Sequence, residues 1–218
     1  MSRYLLINPN TSQATTDMMV EIAARSLPSG SSVSGATVAN GPLMIITEDE
    51  LRDAAQEVVA CWTARRERGF DGVIVSAFGD PGIGELRALA DVPVVGICEA
   101  SMLEGARGGR RFGVATVTPE LEVMIAAKVR EFGLQHAYTG IRLTQGPPRE
   151  LAADPDALER EMAAAVARCI DDGAQAVIIG GGPLGEVADR LTSRFDVPVI
   201  APIPAAVRQL LALAGAKP

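Results

Sequence analysis

Two turns carry the chemistry available to this sequence. Ile74-Val75-Ser76-Ala77-Phe78-Gly79-Asp80-Pro81-Gly82 and Ile178-Ile179-Gly180-Gly181-Gly182-Pro183-Leu184 are apolar runs that break into Gly/Pro turns. Such a run reads as a parallel strand handing over to a helix. At that junction main-chain N–H groups lack helical partners and, with the helix dipole, favour an anion. Phe78, Gly79, Gly181 and Gly182 hold such positions, and Thr116 and Thr118 could add hydroxyl donors. Donors converging on one oxygen would stabilise an enolate or a tetrahedral oxyanion. The blander reading is that the glycines serve turn geometry and that Thr118 caps its own helix.

Groups able to move a proton are few. Ser76 precedes Ala77, so strand alternation points it away from the direction Ala77 faces, as a buried filler would be. Cys98 and Glu99 lie where a strand ends. A helix start there would lower the Cys98 pKa, although a small buried hydrophobe is the competing reading. Glu99 could simply favour a helix N-terminus, and Asp80 reads as a helix cap rather than a base. His136, the only histidine, falls in a connection and reads as a surface residue. Gly180 to Gly185 satisfies GxGxxG after a strand. The acid expected about 20 residues on is missing, which weighs against a dinucleotide.

The elements that position these residues come in two copies. The two turns are offset by 104 residues (Ala77 to Gly181), and the strands that follow, Asp91-Val92-Pro93-Val94 and Asp196-Val197-Pro198-Val199, by 105. Segments in register over that distance indicate internal duplication. Alternating strands and helices of about 12–15 residues indicate right-handed βαβ units and parallel sheets. The expected fold is α/β: two similar lobes, each a parallel sheet of about four strands flanked by helices, related by a pseudo-twofold with a cleft between them. Lobe 1 is expected at 1–97 plus 203–218 and lobe 2 at 98–202. Because ligands bind at the carboxyl ends of parallel strands, the lining would be Asn8 to Thr11, Ala77 to Gly79, Thr116 to Thr118 and Gly181 to Pro183. In finer detail, Asn10 or Thr11 should cap the first helix, Ser32 to Ala39 should form the second strand, Thr47-Glu48-Asp49-Glu50 is a capping box, and Gln145 to Glu150 is a loop.

Composition narrows the function classes. The 218 residues are 48% hydrophobic but only 4% aromatic, so the core must be Ala, Val, Ile and Leu. A net charge of −7 without a basic block leaves no electrostatic footprint for nucleic acid or an anionic membrane. No run approaches about 18 apolar residues, and no signal peptide is recognisable. Cys61, Cys98 and Cys169 are widely spaced, which fits a reducing cytoplasm and neither a disulfide framework nor a metal site.

The sequence resembles the aspartate/glutamate racemase superfamily, and within it the hydantoin racemase branch. The resemblance rests on Ile7-Asn8-Pro9-Asn10-Thr11-Ser12, Phe78-Gly79-Asp80-Pro81-Gly82, Val94-Val95-Gly96-Ile97, Glu99-Ala100 and Thr116-Val117-Thr118, in order over nearly the whole chain. It implies a cofactor-free site in an interlobe cleft, a small anionic or cyclic-amide substrate, and self-association. In that family two cysteines, one per lobe, exchange the α-proton. The resemblance assigns those positions to Ala77 and Gly181, neither of which can accept or donate a proton. Where the family carries Ser-Ile-Glu, this chain has Met44-Ile45-Ile46, an apolar pocket wall that suits a substrate with a hydrophobic portion or packs on the core. Two-thiol racemisation is therefore disfavoured. Isomerase-like, lyase or hydrolase chemistry through a backbone-held oxyanion remains, beside a catalytically silent binding protein.

Overall fold

The computed structural model describes residues 2–45 and 47–215. The chain forms two compact units, residues 1–100 with 203–218, and residues 101–202.

The first unit contains β1 (Arg3–Asn8), α1 (Gln13–Arg25), β2 (Ser32–Thr37), α2 (Glu48–Thr63), β3 (Gly72–Val75), α3 (Ile83–Leu89) and β4 (Val94–Gly96). Helix α4 (Ile97–Gly105) carries the chain into the second unit. There follow β5 (Phe112–Thr116), α5 (Leu121–Glu131), β6 (Tyr138–Leu143), α6 (Pro148–Ala153), α7 (Pro155–Asp171), β7 (Ala176–Ile179), α8 (Gly185–Leu191) and β8 (Val199–Ile200). Helix α9 (Pro202–Gly215) returns to the first unit.

Each unit has one parallel four-stranded sheet, in the order β2-β1-β3-β4 in the first and β6-β5-β7-β8 in the second. Short buried runs such as Gly72–Val75 and Ala176–Ile179 are apolar at every position, as strands covered on both faces must be. In the first unit Leu5, Ile7, Val73 and Val75 pack with Val58, Cys61 and Trp62 of α2. In the second, Ala115, Val177 and Ile179 pack with Met162, Ala165, Val166 and Cys169 of α7.

The duplication extends to individual hydrogen bonds. Val38 N donates to Asn8 O (3.2 Å) and Thr144 N to Thr116 O (3.0 Å). Ser76 N donates to Ile7 O (2.9 Å) and Gly180 N to Ala115 O (2.8 Å). Asp80 N closes on Ala77 O (3.0 Å), and Leu184 N on Gly181 O (3.3 Å). In both sheets the strand order reverses beside the first strand of the copy. Ligands of open α/β sheets favour such a switch point, at the carboxyl ends of the strands. The loops there follow β1 and β3 in one unit, and β5 and β7 in the other.

Several local expectations are corrected. Ser12, not Asn10 or Thr11, caps α1, its hydroxyl accepting from Thr15 N. Strand β2 stops at Thr37, where the chain turns into the Asn40-Gly41-Pro42 loop. Residues 148–150, expected as part of a loop, open α6 because Pro148 sits at its first turn, where a missing N–H costs nothing. The capping box at Thr47 and Glu50 is present as expected. Among the described residues no helix is long and apolar enough to cross a membrane, and no three metal-ligating side chains come together.

Candidate functional site

In the first unit the loop after β1 is folded by its own amides. Asn8 is fully buried, and its Nδ2 donates to Asn10 Oδ1 (2.8 Å), Ser12 O (3.1 Å) and Thr16 Oγ1 (3.0 Å). Its Oδ1 accepts from Asn10 N (3.1 Å), and Asn10 Oδ1 accepts from Ser12 N (2.9 Å). Both asparagines, expected on the substrate, are therefore engaged in shaping the loop. Thr11 ties the loop to its neighbour, its N donating to Pro42 O (3.1 Å) and its hydroxyl to Gly41 O (3.5 Å). Beyond Pro42, Leu43 and Met44 are 74% and 60% exposed. Ile46, expected in the same wall, lies outside the described residues.

The turn after β3 is built differently. Phe78, Gly79 and Asp80 are buried and Ala77 is half-buried. The N–H groups of Ala77, Phe78 and Gly79 have no acceptor among the described residues. Main-chain N–H groups are rarely left without a partner, water included, so three in succession are donors open to water or to a ligand. Gly79 has φ +141° and Gly82 φ +72°. A Cβ at Gly82 would come within 2.7 Å of Ala55 O, so only glycine lets the turn approach α2 so closely.

The proposed reacting groups have other duties. Ser76 is buried, and its hydroxyl donates to Ile7 O (2.9 Å), fastening β3 to β1. Glu99 pairs with Arg87, whose Nε also donates to Val94 O (3.2 Å). Cys98 is fully buried in the first turn of α4. Asp80 does cap a helix, but not the one that follows it: Oδ1 accepts from Cys98 N (2.9 Å) and Oδ2 from Glu99 N (2.7 Å), at the start of α4. His136 is exposed.

In the second unit Thr116 is fully buried and its hydroxyl donates to Gly180 O (2.6 Å), so it has no proton left to offer a ligand. Thr118 does not cap α5, whose N-cap position is Glu120. Its hydroxyl has no partner among the described residues, while its N–H reaches Thr116 Oγ1 (3.4 Å). Val117, half-buried, packs against the core cluster that includes Met162 and Val166 of α7. Gly181, at φ +145°, and Gly182 carry N–H groups with no acceptor among the described residues. Pro183 continues the turn as a single 3-10 turn, Gly182–Leu184.

The remaining thiols lie in the helical layers. Burial pushes the Cys169 thiol from 9.0 up to about 12, with Asp172 adding to the shift. Burial also raises Cys61, against the pull of Arg65. Two further carboxylates were missed in the sequence. Glu57 accepts from Asn40 N (3.3 Å) and Nδ2 (3.0 Å), and Glu161 from Gln145 N (3.3 Å). The available signal was the duplication itself, since Asn40-Gly41-Pro42 and Gln145-Gly146-Pro147 stand 105 residues apart and the two glutamates 104.

Comparison with known proteins decides the family. The description of the Asp/Glu/hydantoin racemases matches residues 5–210. The chain belongs to that family. A hydantoin racemase from Rhizobium meliloti is 30% identical over 215 residues, covering 97% of this chain and 88% of the relative. Allantoin racemase from Klebsiella pneumoniae superposes with a TM-score of 0.92 at 28% identity, over 99% of this chain and 88% of that one. Arylmalonate decarboxylase shares the racemase fold, with a TM-score of 0.71 at 18% identity over 99% of this chain and 94% of its own. The two four-stranded parallel lobes are thus those of the racemase family.

Proposed function

We propose that this family member is a cofactor-independent enzyme acting on a small carboxylate, ureide or cyclic amide. The oxygen that gains charge is held by the N–H groups of the Ala77–Gly79 turn; Gly181 and Gly182 hold the equivalent places in the second copy. The observation that supports it is the run of unpaired N–H groups in a turn of otherwise buried residues. Such preorganised donors lower the barrier to an enolate because they need no reorganisation as charge develops.

Neither Ala77 nor Gly181 can shuttle a proton, so two-thiol racemisation is not the reaction we assign. Loss of CO2 from a malonate-type acid suits these donors better. The breaking C–C bond leaves its electron pair in the enolate, and a single proton, available from solvent, completes the product. Hydrolysis of a cyclic amide through a tetrahedral oxyanion draws on the same donors. A cytoplasmic location accompanies this reading, supported by three free, buried thiols.

Amide NMR of the labelled protein during titration with allantoin, 5-benzylhydantoin, aspartate and phenylmalonate tests the assignment. The Ala77, Phe78 and Gly79 resonances should move with at least one of them, and product should be counted in parallel. If all four leave those resonances in place, the assignment fails. Rapid exchange of an α-deuteron with racemisation would show that proton transfer does not need the missing thiols. A second reading, a binding protein without turnover, draws on the same absence of a proton-transfer group at Ala77 and Gly181. It predicts moved resonances with no product.

A further inference from the structure

The two copies solve one local problem in opposite ways. In the first, Asp80 is 1% exposed, and its two oxygens take the N–H groups of Cys98 and Glu99. Gly96 beneath it has no room for a side chain, since a Cβ would fall 2.1 Å from Asp80 Cγ. In the second copy, the residue that closes the same turn is Leu184, Ala201 replaces Gly96, and α9 opens Pro202-Ile203-Pro204. Pro204 stands where Glu99 stands in the first copy and has no N–H to satisfy. An acid at the turn goes with donors and a glycine; a leucine goes with prolines and an alanine.

The backbone differs in the same place. Asp80 has φ +50°, the only described non-glycine residue with positive φ, whereas Leu184 sits at φ −89°. Left-handed backbone at a residue bearing a Cβ persists only when its surroundings hold it. Here the carboxylate does so, pinned between two main-chain donors. Asp80 N also closes on Ala77 O (3.0 Å), so anchoring Asp80 ties both ends of the turn that holds Phe78 and Gly79, the latter at φ +141°.

We infer that Asp80 is a positioning residue: its carboxylate, latched onto the start of α4, holds the Ala77–Gly79 N–H groups in the orientation that receives the anion. This rests on the reading of that turn as the anion site. It assigns Asp80 neither contact with substrate nor proton transfer. Binding energy then goes into the complex rather than into ordering the turn.

The test uses the whole chain, with phenylmalonate as the probe, and compares wild type, Asp80→Asn and the transplant Asp80→Leu/Gly96→Ala/Glu99→Pro. The transplant gives the first copy the second copy's residues at these three places; proline at 99 removes one of the two N–H groups that lose the carboxylate, leaving Cys98 N as the other. Expected for both variants are faster amide motion at Phe78 and Gly79 in 15N relaxation and phenylmalonate binding weakened by about tenfold. The transplant should melt closer to wild type than Asp80→Leu alone. A purely structural role would bring amide order and affinity back together with melting in the transplant, and that result overturns the inference. Wild-type amide order and affinity in Asp80→Asn would overturn it too. Wild-type resonances at 77–79 unmoved by phenylmalonate, allantoin, 5-benzylhydantoin and aspartate alike would instead overturn the anion-site reading, and the inference with it.

Discussion

Replacing Gly96 by alanine adds one methyl group to a strand and should cost far more than methyl groups usually do. The new Cβ would stand 2.1 Å from Asp80 Cγ and 2.4 Å from both carboxylate oxygens, with buried strand on either side. Restoring van der Waals separation requires the carboxylate to move by about 1 Å or more. Its bonds of 2.9 Å to Cys98 N and 2.7 Å to Glu99 N cannot both survive that shift. Hydrogen bonds to a charged group contribute about 1.5–3 kcal/mol each, and losing one or both gives roughly 2–5 kcal/mol. For a chain of this size each kcal/mol lowers the melting temperature by about 2–4 °C, so a fall of roughly 5–15 °C is expected in a thermal scan. The control is Ala201→Gly at the matching position of the second copy, where a lost methyl should cost only about 1 kcal/mol. A Gly96→Ala protein that melts within about 2 °C of wild type would refute the reasoning, because the acid would then have an equally good place to go.

Other perturbations follow from single observations. Thr144 Oγ1 is buried without a partner among the described residues, and the first copy has Val38 at that place, so Thr144→Val should raise stability by about 1 kcal/mol in urea unfolding. Ala77 has ordinary backbone, whereas Gly181 sits at φ +145°. Ala77→Cys should therefore leave the urea midpoint nearly unchanged, and Gly181→Cys should lower stability by about 1–3 kcal/mol. Cys169 is raised from 9.0 to about 12, so the native state keeps a proton that the unfolded chain releases. Its contribution is complete below pH 9 and is lost as pH climbs towards 12; denaturation at pH 8 and pH 10.5 should show the decline, and Cys169→Ala should flatten it.

Much of the fold was legible because duplication leaves matching words in the chain. The Asp-Val-Pro-Val strands and the two glycine turns gave both sheets their order of elements, and the all-apolar runs marked strands covered on both faces. What stayed hidden depended on partners far away in sequence. Asp80 read as a local cap because nothing in Phe78-Gly79-Asp80-Pro81 shows that its acceptor oxygens serve residues 98 and 99. Ser76 and Thr116 read as potential actors, yet each hydroxyl is taken by a main-chain carbonyl, Ile7 in the neighbouring strand for one and Gly180, just past the end of β7, for the other. Pro147-Pro148 read as a loop, although proline also begins helices. For the site, the turns were visible from glycine spacing, whereas the unpaired state of their N–H groups depends on which carbonyls the folded chain brings near.

The docking point proposed at the Ala77–Gly79 turn is made of main chain, and that has an evolutionary consequence. Point mutation exchanges side chains but leaves the peptide link in place, proline excepted. A lineage carrying such turns can change whichever atoms do the chemistry beside them while its grip on an acid group persists. The positions around Ala77 and Gly181 are therefore where new reactions can be tried cheaply, by selection or at the bench.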